Sequence, residues 1–162
     1  MKVIVHDLGR PYDGVIRSRC DRMIAADGRY APCQGCFGCW TRRPAECFMK
    51  DALRQACRII GQADELVIVT RNLYGGYSAA VKNVLDRSIG SSTPLSTYRG
   101  GQMHHTLRYG KHGLWRVIVY GEITGAEQDT FRLLAARNAV NDGFERSEVL
   151  FLPDLAGLEA VL

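Results

Sequence analysis

The chain has 162 residues, 46% hydrophobic and 23% charged, enough for a single domain with a continuous core and unlike the polar composition of a disordered chain. No apolar run reaches the roughly 20 residues of a bilayer-spanning helix, and the opening MKVIVHDLG has no signal-peptide hydrophobic stretch, so a cytoplasmic setting with no membrane partner is expected. The net charge of +4 is uneven: residues 1–113 carry 17 Lys or Arg against 9 Asp or Glu, and residues 114–162 carry 4 against 8. Such a balance suits an anionic ligand or an ordinary solvated surface, and without a dense basic block or aromatic platform it speaks against nucleic-acid binding.

In chain order, residues 2–6 (KVIVH) form a short β-branched run ending at Asp7-Leu8-Gly9, a first buried strand feeding a turn. Pro11 marks a stiff point, and Asp13 is placed to cap a short helix through about Cys20. Met23–Ala26 reads as a second strand, stopped by Asp27-Gly28. After a cysteine-rich loop, Asp51 is expected to open a helix, DALRQACRIIGQ, whose Leu53, Ala56, Cys57 and Ile60 recur at helical spacing, so that Cys57 faces the core and Gly61 ends the element. The continuous run ELVIVT at 65–70 reads as a central strand covered on both faces. The Gly-rich RNLYGGYS then leads through the cap Ser78 into a helix, AAVKNVLDRSI.

Residues 90–113 are the least periodic stretch and read as a long loop, with His104, His105, Arg108 and Tyr109 as candidate substrate or subunit contacts. WRVIVY at 115–120 is a further strand, Glu127–Val140 a long helix, SEVLFL a fifth strand, and the tail after Pro153 has room for one short helix. Strands alternating with helices predict a three-layer α/β domain over 1–162, with a parallel sheet and the ligand at the carboxyl ends of its strands.

Four of the six cysteines, Cys33, Cys36, Cys39 and Cys47, fall within fifteen residues. Two successive Cys-x2-Cys gaps, relieved by Gly35 and Gly38, let thiolates converge from a tight loop. An iron–sulfur cluster, a zinc ion, a reactive Cys36–Cys39 dithiol and plain loop cysteines are all compatible with that spacing. Arg42 and Arg43 would moderate thiolate charge or simply face solvent, and Cys20 lies outside the run.

The segments PCQGCFGCW, ADELVIVT, LYGGYSAAVKNVLDRS and HHTLRYG, in that order, resemble the flavodoxin-like NAD(P)H-dependent FMN reductases, in particular small members related to iron–sulfur flavoproteins. The resemblance implies a flavodoxin-like five-stranded parallel sheet in the order 2-1-3-4-5. It also implies FMN as cofactor, NAD(P)H as transient donor and a [4Fe-4S] cluster held by the four cysteines. Carried onto this chain, the phosphate loop is Leu8, Gly9 and Arg10 running to Asp13. The ring loops are Arg71, Asn72, Leu73, Tyr74, Gly75, Gly76, Tyr77 and Ser78 after the third strand, and Gly121 to Gly125 after the fourth, with Gly121 and Glu122 as its cofactor contacts. Lys82 matches the lysine of the following helix, and the Asp86-Arg87 pair is expected to hold structure. The first loop departs from the family pattern: LGRPYD has no Ser or Thr, Pro11 removes a backbone donor and Asp13 repels phosphate, leaving Arg10 as the only cation.

The expected function is electron transfer from NAD(P)H through FMN to a quinone, another small-molecule or protein acceptor, or an iron–sulfur cluster, with no protein acid or nucleophile required. Homo-oligomerisation is expected of a short flavin enzyme whose long loop could complete a neighbouring pocket. Two rival expectations are a non-enzymatic electron carrier and a flavodoxin-like interaction or sensor protein that has lost FMN.

Overall fold

The computed structural model describes residues 1–110 and 112–162. Lys111, part of the expected long loop, lies outside the described residues. The β-branched runs form the strands. β1 (Lys2–His6) is followed by a 3-10 turn at Arg10–Tyr12, α1 (Asp13–Arg17) and β2 (Arg22–Ala25). The cysteine loop contains α2 (Gly38–Thr41), and α3 (Ala56–Gly61), β3 (Glu65–Arg71) and α4 (Ala79–Asp86) follow. Next come β4 (Ser92–Arg99), β5 (Gln102–Leu107), β6 (His112–Tyr120), α5 (Gly125–Asp142), β7 (Phe144–Leu152) and α6 (Leu158–Val161). Among the described residues no helix is long and apolar enough to cross a membrane.

Five strands make one parallel sheet in the order β2-β1-β3-β6-β7, the flavodoxin order once the separate β4-β5 hairpin is set aside. Alternate residues along each strand point to opposite faces, and both faces are apolar. Val3 and Val5, Leu66 and Ile68, and Trp115, Val117 and Val119 meet α3, α4 and α5 through Ala56, Ile60, Val81, Val84, Phe131 and Ala135. Ile4, Val67, Val69 and Ile118 face the other way and are covered by Ile16 of α1 and Leu158 of α6. Tyr77 and Phe131 meet edge to face at 5.1 Å between centroids inside the first of these cores.

Three local expectations are corrected. The helix expected from Asp51 begins only at Ala56, and residues 52–55 are turns. Asp51 bonds the backbone N–H of Leu53, two residues on, and its carboxylate is held by Arg87 of the next helix, so a tertiary partner takes the side chain that would have capped a longer helix. Asp13 does not cap α1; it is the first residue of that helix, whose N-cap is Tyr12, and it faces His6 at 3.8 Å.

The third correction concerns residues 90–113, which are largely regular: β4 and β5 pair antiparallel around Gly100-Gly101, with φ of +56° and +76°. Two consecutive positive φ values are what a tight hairpin turn demands, and glycine adopts them without a Cβ penalty. The hairpin is fastened to the body at several points. His105 stacks on Trp40 at 4.6 Å, Arg99 donates to the carbonyls of His105 and Asn141, and Arg108 donates to those of Gly90 and Ser92.

Beneath the hairpin, burial raises the Asp142 carboxyl to about 7, with the nearby Arg99 charge and an Asn141 hydrogen bond opposing that rise. A carboxyl whose folded-state pKa is raised is still protonated in the folded state at pH values where the unfolded chain has already ionised, so the folded state loses stability as pH climbs from about 4 to about 7. Asp142→Asn should therefore leave the melting temperature unchanged at pH 4 and raise it at pH 8. Equal shifts at both pH values in a thermal-melt series would contradict this origin.

Candidate functional site

The chain reverses direction across the sheet between β1 and β3, and the loops leaving β3 and β6 on that side enclose a cavity of about 680 Å³. Its walls are Arg71, Asn72, Leu73, Tyr74, Ser78 and Ala79 from one loop and Gly121, Glu122, Ile123, Thr124 and Glu127 from the other. Asn72 joins the two: its Nδ2 donates to the Glu122 carbonyl at 2.9 Å, its Oδ1 accepts the Gly75 N–H at 3.0 Å, and its own N–H reaches the Tyr120 carbonyl. Leu73 and Gly76 close a tight turn by exchanging backbone hydrogen bonds, which lifts Tyr74 to the lip, 88% exposed with a φ of 51°.

Two caps brace the walls. The Ser78 hydroxyl accepts from Val81 N–H at the start of α4. Thr124 and Glu127 form a reciprocal capping box at the start of α5, whose hydrogen bonds to the Thr124 backbone and hydroxyl hold the Glu127 carboxyl below the usual range.

Asp7, at the carboxyl end of β1, ties three strands together. Its carboxylate accepts the Arg71 N–H at 3.0 Å and the Tyr120 hydroxyl at 3.1 Å, one from β3 and one from β6. Burial, together with that carboxylate, pushes the Tyr120 phenol upward, so it remains a donor throughout the physiological range. His6 is fully buried with neither ring nitrogen bonded, and burial lowers its pKa against the opposing charges of Asp13 and Asp7.

Of the residues expected around the ring, Arg71, Asn72, Leu73, Tyr74, Ser78, Gly121 and Glu122 come together in this one cavity. Gly75 and Gly76 shape its turn without lining it. Tyr77 points into the core, 6% exposed and bonded by Asn138, and burial pushes its phenol up to about 12. Ile123 and Thr124 fall within the expected Gly121–Gly125 loop, and Glu127 was not anticipated, although TGAE at 124–127 carries a capping-box pattern.

The first loop lies outside the cavity wall: Leu8 packs into the core, while Gly9 and Arg10 are exposed. Arg10 is the one cation from this loop, facing a neighbourhood that also holds Asp7 and Asp13. His104, His105, Arg108 and Tyr109 belong to the hairpin and its exit and do not line this cavity. His104 lies 3.4 Å from the Asn141 amide, and the Tyr109 ring covers Gly61.

Cys33, Cys36, Cys39 and Cys47 are all free thiols, the first two exposed, and all four line a second, narrow cavity of about 100 Å³ together with Phe37, Met49 and Arg87. Among the described residues no set of three or more Cys, His, Asp or Glu is gathered at metal-binding geometry. Cys39 and Cys57, the latter from α3, come together against Gly90. The neighbouring Cys57 lowers the Cys39 pKa, while the proximity of Cys39 together with burial raises that of Cys57. Gly90 makes the close approach feasible: a Cβ there would meet the Cys57 sulfur at 2.8 Å and the Cys39 Cβ at 2.9 Å. Cys57 is fully buried, as its helical spacing predicts, and its Sγ donates to the Arg87 carbonyl at 3.1 Å.

A sequence profile of NADPH-dependent FMN reductases matches residues 25–107. The chain belongs to that family. No curated protein matches it. As a member of the NADPH-dependent FMN reductases, the chain carries the flavodoxin-like sheet described above, and membership supports an NAD(P)H-dependent flavin oxidoreductase with FMN as its cofactor. The matched segment contains the cysteine loop, β3 and the whole Arg71–Ser78 wall, while the LGRPYD loop and the Gly121–Glu127 wall lie outside it.

Proposed function

We propose that this FMN reductase binds the flavin ring in the 680 Å³ cavity between the β3 and β6 loops and passes electrons from NAD(P)H to a small-molecule or protein acceptor, as a homo-oligomer in the cytoplasm. The observation that carries the reading is the Asn72 bridge, which holds the loops after β3 and β6 as facing walls at the carboxyl edge of the sheet, one strand from the switch point. Bound FMN would supply the redox chemistry, since it takes up a hydride and returns electrons to an acceptor. The chain itself contributes position. Tyr74 at the lip would cover one edge of a bound ring, Arg71, Asn72 and Ser78 would offer it polar groups, and Leu73 and Ile123 an apolar surface. Arg10 is the group available to a phosphate, and the carboxylates of Asp7 and Asp13 make that end of the site less favourable than the ring end.

A second reading concerns the cysteine loop. Four soft thiol donors line one small cavity without being gathered at metal-binding geometry, and Cys33, Cys36, Cys39 and Cys47 would hold an iron–sulfur cluster only after the loop rearranges and Cys39 turns from Cys57.

Protein purified without oxygen should show flavin absorbance after incubation with FMN and should oxidise NADPH with a quinone present. A preparation that stays colourless after FMN addition sinks the reductase reading. Flavin bands with no iron or sulfide in the same sample sink the cluster while leaving the reductase standing.

A further inference from the structure

Within the cysteine loop lies a cavity of about 430 Å³ that shares Cys36 and Phe48 with the narrow cysteine cavity and no lining residue with the cavity between the β3 and β6 loops. It is lined by Cys36, Gly38, Arg42, Arg43, Glu46, Phe48 and Lys50. Among the described residues the side chains of Arg42, Arg43 and Lys50 make no ion pair or hydrogen bond, although each is within a few residues of Glu46. That carboxylate is already taken: Arg54 bonds it through both Nε and a terminal nitrogen, which holds its pKa below the usual range. The cavity therefore carries three cations against one carboxylate, which Arg54 bonds at a single oxygen and toward which Arg43 also bears charge, so its lining is net positive.

An aromatic ring completes the wall. Phe48 is 50% exposed, a large apolar ring left open beside guanidinium groups. The backbone around it is well determined by local bonds: Arg42 and Arg43 both donate N–H to the Gly38 carbonyl, Ala45 donates to that of Cys39 with a φ of 62°, and Cys47 donates to that of Arg54. The basic side chains thus project from a folded turn.

We propose that this cavity is a binding site for a phosphate-bearing nucleotide, separate from the flavin site. Two adjacent guanidinium groups and an ammonium match a di- or polyphosphate, for which arginine forms forked, charge-assisted hydrogen bonds. The open face of Phe48 matches a nucleobase, and the volume falls in the range of small-molecule sites.

Titration of the flavin-free protein with ADP, followed by calorimetry at low ionic strength, tests the assignment. ADP should bind saturably, and its affinity should fall at least tenfold in Arg42→Ala/Arg43→Ala and fall steeply with added salt. Phe48→Ala should reduce ADP affinity about tenfold while leaving that of inorganic pyrophosphate unchanged. Arg146→Ala, which removes an exposed charge from β7, should leave ADP binding as in the parent and so controls for net charge. The substituted residues are exposed, and unchanged melting curves of the variants confirm that the loop is folded. No saturable binding, equal ADP affinity in the double arginine variant, or competition of ADP by FMN would overturn the assignment. Because no flavin is present in the primary titration, failure of the reductase reading would leave these outcomes unaffected.

Discussion

Asp51→Ala should destabilise the fold by about 3–5 kcal/mol, the range found when one partner of a buried ion pair is removed. The Arg87 side chain is fully shielded from solvent, and its guanidinium holds both oxygens of Asp51 and the Ala31 carbonyl. Without Asp51 the positive charge is stranded where water cannot reach it. Arg87→Met is expected to cost less, about 1–2 kcal/mol, because Asp51 is about a quarter exposed and can turn to water, while methionine fills much of the vacated volume. The double variant should therefore be more stable than Asp51→Ala alone. Urea denaturation of the three proteins measures the order, and an Asp51→Ala variant more stable than Arg87→Met would refute the argument.

The same pair sets a pH dependence: Arg87 holds the Asp51 carboxyl below the ordinary carboxylate range. Its contribution is complete above the unfolded-state value and is lost as pH falls through the depressed folded-state value, so the stability gap between parent and Asp51→Ala should close in acid.

The second large effect is expected at the ring cavity. Asn72→Ala removes two side-chain hydrogen bonds, to the Glu122 carbonyl and from the Gly75 N–H, each worth about 0.5–1.5 kcal/mol. If those bonds keep the two walls in register for the flavin, FMN affinity should fall about 10- to 100-fold. Asn72→Asp keeps the acceptor for Gly75 but loses the donor to Glu122, and its affinity should fall between parent and alanine variant. Quenching of flavin fluorescence on binding gives the dissociation constants. Parent-like affinity in Asn72→Ala would show that the walls hold without the bridge.

The central strands were legible because covered parallel strands are written as unbroken β-branched runs, as in ELVIVT and WRVIVY. The walls Arg71–Ser78 and Gly121–Glu122 were legible for a related reason: once those strands were placed, topology put the loops after them at one edge of the sheet. What could not be read was tertiary competition for side chains. Asp51 carries a helix-opening signal, yet Arg87, thirty-six residues away, claims its carboxylate. Cys39 has Cys36 close by in sequence, yet it meets Cys57 from the next helix. Asp7 looked like a turn residue and instead bonds groups from two other strands. The hairpin is a different case: Gly100-Gly101 was a usable turn signal, but its flanks, STPLSTYR and QMHHTL, do not alternate apolar with polar, because much of each strand faces solvent.

The grip of Arg87 on Ala31 and Asp51 has a consequence for how the chain can vary. The two contacts sit at either end of residues 32–50, so a single side chain draws the neck of that segment closed, independently of what lies within it. The conformational cost of a tied loop grows slowly with its length, about 0.6 kcal/mol for each doubling. Inside that neck the segment has further fixed points, Trp40 on His105 and the Ile89 carbonyl, Glu46 on Arg54 and Cys39 against Gly90. Variation in length is therefore expected in the exposed stretches between them, around Gln34-Gly35 and Phe48–Lys50, where the chain can change what it presents to solvent while the strands and the cavity walls keep their places.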